Sequence, residues 1–222
     1  CYLLGIAVAL LINKQGIRFK PLWRTILVLT IAIPQFISLL VMRNMLNRFG
    51  PINTLLQNAG LIDSALPFLT DVTWARVTVI VVNLWIGIPY TMLMTSGILM
   101  NIPTDLYEAA RIDGAGPFKM FVKITMPQIW FVTAPFMITQ FIGNINNFNV
   151  IYLLTGGEPL ATDYYVAGKT DLLVTWLYKL TADEKDYNLA STIGILVFII
   201  SIVFSLIAYR RTSAYKKEEQ FA

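Results

Sequence analysis

The chain has 222 residues, of which 56% are hydrophobic and 14% charged, with a net charge of +4. Soluble domains carry about 25% charged residues, so this composition excludes an ordinary soluble protein and points to a membrane. One cysteine and no histidine exclude a disulfide framework, Cys-rich metal sites, most zinc sites and histidine-based triads; neither a catalytic residue nor a metal ligand is expected.

The charges cluster and leave uncharged windows at residues 1–13, 25–42, 77–104, 124–157 and 188–209. A spanning helix needs about 20 apolar residues; the last four windows can each hold one, whereas the first is too short by itself. Residues 1–12 read as the inner end of a first helix. The chain starts at Cys1 inside this apolar run, without a signal peptide's basic start and cleavage site, so an upstream part is expected. Residues 14–24 form a short basic loop. Residues 22–45 predict a second helix, going outward, with Pro34 inside it, as membrane helices tolerate where neighbours satisfy the freed carbonyl. Residues 46–73 are an outer connection with turn and capping signals at 49–53 and at Asp63-Ser64, and their apolar patches predict a helix near the membrane surface.

Residues 74–100 predict a third helix, going inward and interrupted near Gly87-Ile88-Pro89. Asp105, with Glu108 three residues later, fits an N-cap and its return partner. A short helix of about eight residues then stops near Gly114 and Gly116-Pro117. Residues 118–125 predict a second short helix leading back into the membrane. Residues 127–154 form a fourth helix, which the run 155–159 breaks. The outer segment 155–187 holds one amphipathic helix at 170–180. Residues 188–209 form the last helix, stopped by Arg210-Arg211. The expected fold is all-α, a polytopic membrane helix bundle with about five spans, the first truncated, in a single domain over residues 1–222.

If the first run ends in the cytoplasm, segments 13–24, 101–127 and 210–222 lie inside. They hold Lys14, Arg18, Lys20, Arg24, Arg111, Lys119, Lys123, Arg210, Arg211, Lys216 and Lys217, 11 of the 17 basic residues. The outer segments hold 8 of the 13 acidic ones. This positive-inside bias predicts a multi-pass protein of the cell membrane with residues 101–127 and the C-terminus in the cytoplasm. The position of the charges thus matters more than the basic balance, and no nucleic-acid partner is expected.

Polar or small residues recur at helical spacing in three of the helices: Ile31, Gln35 and Ser38; Asn83, Gly87 and Tyr90; Gln140, Asn144 and Asn147. An amide in hydrocarbon is costly unless it meets a partner, and polar residues at this depth face a bundle interior or a watery cavity. Two readings stay open, interhelical glue or a hydrated substrate pathway. Amides donate and accept, which suits neutral, hydroxyl-rich molecules. Trp85, Tyr90, Phe148 and Tyr152 could pack on the C–H faces of a sugar ring or simply on other side chains. Four amides in the six residues 144–149 cannot all point one way, so some face neighbouring helices. No ionised residue lies mid-span, which disfavours ions as cargo.

The stretch EAARIDGAGPFKMFVKITMP at residues 108–127 resembles the EAA loop of ABC importer permeases, with Met126 where that family usually has Leu. VVNLWIGIPY at 81–90, NINNFNVIYLLTGGEP at 144–159 and TDLLV at 170–174 extend the resemblance to the larger permease subunit of maltose/maltodextrin importers, from about Leu22 to Arg210. The resemblance implies a type I ABC importer permease fold in which residues 101–127 form the coupling loop. Glu108, Ala109, Ala110, Asp113, Gly114 and Ala115 would then meet the ATPase, the alanines permitting close approach and Gly114 a tight turn. Asn83, Gly87, Tyr90, Asn144 and Asn147 would contact sugar. Gln35, Ile31, Ile86 and Asn149 fall at lining positions where this sequence varies, and Gly143 stands where related permeases carry an aromatic. The implied partners are a cytoplasmic ABC ATPase dimer, a second homologous permease subunit, an extracytoplasmic sugar-binding protein and lipid. No cofactor would be bound by this chain, ATP and Mg being used by the ATPase. Gly168-Lys169-Thr170 mimics the end of a phosphate-binding loop, but Asp163 occupies the place of the required Gly, so no nucleotide binding is expected. An ATP-independent polyol or sugar facilitator is the alternative; it leaves the EAA spacing unexplained.

Overall fold

A computed structural model describes residues 1–14 and 16–210, so Arg211, Lys216, Lys217 and the rest of the C-terminal end lie outside the described residues. Among the described residues there is no strand; one isolated antiparallel bridge pairs Leu160 with Gly168. The helices are α1 (Tyr2–Asn13), α2 (Lys20–Ala32), α3 (Gln35–Met45), α4 (Pro51–Asn58), α5 (Val72–Asn101), α6 (Thr104–Ile112), α7 (Pro117–Met120), α8 (Met126–Ile145), α9 (Phe148–Leu154), α10 (Leu173–Ala182) and α11 (Tyr187–Arg210), with a π-helical turn at Phe121–Thr125 joining α7 to α8. Among the described residues, three helical stretches are long and apolar enough to cross a membrane: α5, the run Pro117–Leu154, and α11. The pair α2 and α3 makes a fourth if counted as one broken span, and α1 is a shorter apolar helix.

Several boundaries differ from the sequence reading. The expected second helix breaks at Ile33-Pro34 into α2 and α3. Pro34 has no N–H and disfavours helical geometry at the residue before it; its own backbone is extended, at φ −53° and ψ 129°. The third helix, by contrast, is not interrupted. It runs for 30 residues with Pro89 inside, about 45 Å of helix. Pro89 is fully buried, so packing holds the helix on both sides of the lost ladder bond. The expected fourth helix ends at Ile145, and a short helix restarts at Phe148 behind Asn147. The short helix expected at 118–125 is instead α7 and the π-helical turn, leading straight into α8. The helix expected at 170–180 begins three residues later, because Thr170 and Asp171 are used to fold the preceding loop.

The chain divides into two compact units. One comprises Cys1–Leu29, Gly87–Phe141 and the end of α11 from Phe204; the other comprises Thr30–Ile86 and Ile142–Val203. In the first, small residues bring α1 close to α5: a Cβ at Gly5 would lie 2.4 Å from Thr91 Cβ. Ala9, Ile12 and Met92 form the buried cluster beside this contact. Asn13 closes the end of α1, its Nδ2 donating to the Ala9 carbonyl (2.8 Å) and to Ser96 Oγ (2.9 Å).

In the second unit, Leu39, Val82, Val150 and Leu154 form one apolar cluster, and Leu180, Ala190 and Ile193 another. Gly50 and Pro51 start α4, the Pro at the first position where its missing N–H costs nothing. Asn53, fully buried on α4, donates to the Asn47 and Leu66 carbonyls (3.2 and 3.0 Å) and accepts from Leu66 N–H (2.9 Å). One amide thus closes the connection between α3 and α5.

The loop between α9 and α10 folds around a buried ion pair. Lys179 Nζ lies 2.7 Å from Asp171 Oδ2, the side chains being 10% and 3% exposed. The same carboxylate oxygen accepts from Gly168 N–H at 2.7 Å. Thr155 and Thr170 hydroxyls meet at 2.9 Å, and Thr170 donates to the Glu158 carbonyl at 2.7 Å. Gly157, at φ +85°, presses its backbone on the pair: a Cβ there would meet Asp171 Oδ1 at 2.1 Å. Breaking a buried ion pair leaves an uncompensated charge, so Lys179→Met is expected to destabilise the protein by about 3–5 kcal/mol. Gly157→Ala, which meets both a clash and positive φ, is expected to lower the melting temperature as well. Thermal unfolding in mild detergent, followed by tryptophan fluorescence, checks both; an unchanged melting temperature for Lys179→Met would mean that the pair does not hold this loop.

Candidate functional site

The break between α8 and α9 brings three of the expected site residues together. Asn147 leaves the helical register (φ −78°, ψ 78°) and caps α9, its side-chain oxygen accepting from Val150 N–H at 3.2 Å. Its Nδ2 donates to Asn83 Oδ1 on α5 at 2.9 Å, and Asn83 Nδ2 donates to Asn144 Oδ1 on α8 at 2.7 Å. Asn83 therefore bridges the two helices that flank the break. All three amides are half-buried. The notion of one continuous Gln140-Asn144-Asn147 helix face is corrected by the break, because Asn side chains compete with the backbone ladder for the same donors.

The other amides divide between partners. Asn149 is exposed and donates to Gln35 Oε1 at 3.2 Å. Asn146 donates to the Ile142 carbonyl of its own helix (3.2 Å) and to Ser201 Oγ on α11 (3.5 Å). Ile31 lies on α2, whereas Gln35 and Ser38 lie on α3, so the break at Pro34 also divides their expected shared face. Ile86 is half-buried and packs on the Leu39, Val82, Val150 and Leu154 cluster. Gly143 is exposed and has no atom within 4 Å of where a Cβ would stand.

Gly87 and Tyr90 belong to the other unit. Gly87 admits the Cys1 side chain, whose Sγ would lie 2.7 Å from an added Cβ. The Tyr90 ring is 54% exposed and rests on Phe136, with centroids 5.1 Å apart. Phe148 and Tyr152 stack on one another at 4.9 Å, and Tyr178 of α10 meets both edge-on at 5.0 Å. Their packing on each other is the bland alternative of the sequence reading. Tyr178 escaped it, since nothing local marks a ring that pairs across a loop.

The loop between α5 and α8 is built on α6. Its N-cap is Pro103, with no side-chain cap bond, and Asp105 sits inside the first turn. The expected Asp105–Glu108 cap is thus displaced by one turn start: helical geometry begins at Thr104, and Asp105 instead places its charge near the unpaired N–H groups of the helix end. At the other end Gly114, at φ +74°, closes a Schellman turn: Ala115 N–H donates to the Ala110 carbonyl (2.8 Å), and Gly114 N–H to that of Arg111 (3.0 Å). Glu108, Ala109, Asp113 and Gly114 are exposed, while Ala110 and Ala115 are half-buried. Ile112 and Phe118, 86% and 79% exposed, add large apolar side chains to the same loop, and the sequence reading missed both. Gly168, Lys169 and Thr170 hold the loop before α10: Lys169 pairs with Asp163 at 3.6 Å, and Gly168 and Thr170 bond Asp171 and Glu158.

Comparison with known proteins concerns the chain as a whole. The family model described as "Binding-protein-dependent transport system inner membrane component" matches residues 2–214. The chain is 43% identical over 217 residues to the galactooligosaccharides transport system permease protein GanP of Bacillus subtilis (strain 168), covering 97% of this chain and 51% of that protein. It is 39% identical over 224 residues to the maltodextrin transport system permease protein MalC of Streptococcus pneumoniae serotype 4, again covering 97% and 51%. The chain therefore spans about half the length of the curated relatives it matches. Among solved structures, a bacterial alginate ABC transporter in complex with an alginate pentasaccharide-bound periplasmic protein matches with TM-score 0.78 at 25% identity, covering 95% of this chain and 72% of that one.

Replacing Asn83 by Leu withdraws partners from both Asn144 and Asn147. An unsatisfied polar group of this kind costs about 1–3 kcal/mol, so Asn83→Leu is expected to destabilise by that amount in a detergent melt. A neutral outcome would show that the two remaining amides find other partners.

Proposed function

This chain belongs to the family of binding-protein-dependent transport system inner membrane components, and from that premise we propose that it is the transmembrane subunit of an ATP-driven importer for neutral oligosaccharides of the maltose/maltodextrin type. It is a multi-pass membrane protein. Residues 101–127 and the C-terminus face the cytoplasm in this reading, supported by the placement of the basic residues. The chain performs no bond chemistry. A separate cytoplasmic ABC ATPase dimer uses ATP and Mg, a second homologous permease subunit supplies the other half of the pathway, and a sugar-loaded extracytoplasmic binding protein delivers cargo.

The observation that carries this reading is α6. None of its residues is buried, it ends in the Gly114 turn, and it carries Glu108, Ala109, Ala110, Asp113, Gly114 and Ala115 on a loop where small residues and a positive-φ glycine allow a partner to approach. ATPase closure would displace this loop, and the helices would reorient in alternating access. Sugar contact is assigned to Asn83, Ile86, Asn144, Asn147, Asn149 and Gln35 in one unit and, taken separately, to Gly87 and Tyr90 in the other. Amides that donate and accept at once suit sugar hydroxyls, and the exposed Tyr90 ring suits their C–H faces. The names of the relatives, galactooligosaccharides and maltodextrin, support the same substrate class.

Co-purification tests the coupling. The unsubstituted protein is expected to retain an ATPase in mild detergent, and Glu108→Lys or Gly114→Pro to release it; a proline cannot adopt φ +74°. Uptake that persists after ATP depletion would refute the importer and favour a facilitator. For the cargo path, Tyr90→Ala is expected to abolish uptake with assembly intact, and Gly143→Phe to change which sugars are taken up. Normal uptake of every sugar by both assembled variants would refute the path assignment.

A further inference from the structure

The α6 helix is poorly anchored by packing. None of its described residues is buried. It borders a cavity of about 760 Å³ whose walls include Leu10, Lys14, Leu99, Tyr107, Glu108 and Thr125. The glycines of the turn that follows face open space, with no atom within 4 Å of a Cβ at Gly114 or Gly116. A helix with space behind it and a glycine turn at its end meets little resistance to a push. Such a push moves the membrane helices only if something firmer than that turn connects them.

One side-chain bond makes that connection. Tyr107 Oη on α6 and Thr125 Oγ1 lie 2.8 Å apart. Thr125 is 6% exposed and is the last residue of the π-helical turn, immediately before α8. A π-helical turn is a rare, wide turn of helix that recurs at functional places, and the bond holds its last residue, which runs directly into α8. We propose that the Tyr107–Thr125 hydrogen bond is the strut that transmits displacement of α6 to α8, making Tyr107 and Thr125 positioning residues for coupling. This rests on the importer reading above. The glycine turn lets α6 tilt into the cavity, and the strut makes α8 follow.

The test uses the assembled complex of permease pair, ATPase and binding protein in liposomes, with maltotriose and galactotriose as probes. Tyr107→Phe and Thr125→Val each remove one hydroxyl and keep the bulk. Each is expected to retain the ATPase while sugar uptake per ATP hydrolysed falls about fivefold, the size expected for one net hydrogen bond; Thr125→Ser, which keeps the hydroxyl, is expected to behave as the unsubstituted protein. Uptake per ATP that is unchanged in both hydroxyl-free variants overturns the strut. Loss of the ATPase from both also overturns it, because the bond would then serve assembly. A second measurement needs no sugar: spin labels at Ile112→Cys and Gln128→Cys, in a Cys1→Ser background, report the spacing of α6 and α8. With the strut, ATP and vanadate should leave one narrow distance; with Thr125→Val the distribution should broaden, and equal distributions refute the proposal. An unsubstituted complex that imports neither sugar would count against the importer reading, while the spin-label distances still decide the strut.

Discussion

Inside hydrocarbon every backbone N–H and C=O must be satisfied by the chain itself, and this constraint governs the rest of the structure. It makes the spans helical and turns each interruption of a helix into a problem of supply. At the α8–α9 break the supply comes from side chains: Asn147 caps the new helix with its oxygen and bonds Asn83 with its nitrogen. Asn83 in turn reaches Asn144 on the near side of the break. The polar cluster is thus a structural repair built from groups that donate and accept at once. An amide can serve both ends because it has donors and acceptors on one planar group.

The same economy appears in the connections. Asn53 closes the segment between α3 and α5 with three hydrogen bonds from one buried side chain. The loop before α10 is held by a carboxylate that meets both Lys179 and a backbone N–H. A buried charge pair is weak as a source of stability but strongly penalises any arrangement that separates its members. It therefore favours one loop geometry, with Gly157 packed too tightly for any side chain. The α6 loop is built on the opposite plan. Its helix α6 buries no residue, ends on a glycine turn, and is tied to the π-helical turn before α8 by a hydroxyl pair. Buried contacts are concentrated in the loop before α10, whereas α6 has none.

Much of this was legible in the residues. Low charge and long uncharged windows gave the helical membrane class, because hydrocarbon length sets span length. Gly114 marked the end of α6, since only a residue without Cβ enters positive φ cheaply. The density of amides at 144–149 marked a place of unusual backbone. The two prolines show the limit. Pro34 and Pro89 both lie in apolar windows and both remove a ladder bond, yet one breaks its helix and the other does not. The side chain of Pro34 is exposed and that of Pro89 fully buried, and that difference is made by residues distant in the chain.

What the sequence by itself determined is what depends on neighbours along the chain: the membrane class, the helical turns, the Gly114 stop, and the EAA spacing that places this chain in its family. Only the tertiary structure decided which groups meet. Asn83 pairs with Asn144 and Asn147 across more than sixty positions, Asp171 selects Lys179, and Tyr107 finds Thr125. The physical reason is range. Turn and helix preferences are set by contacts within a few residues, whereas a hydrogen bond between distant helices depends on angstrom-scale placement that only the packed chain supplies.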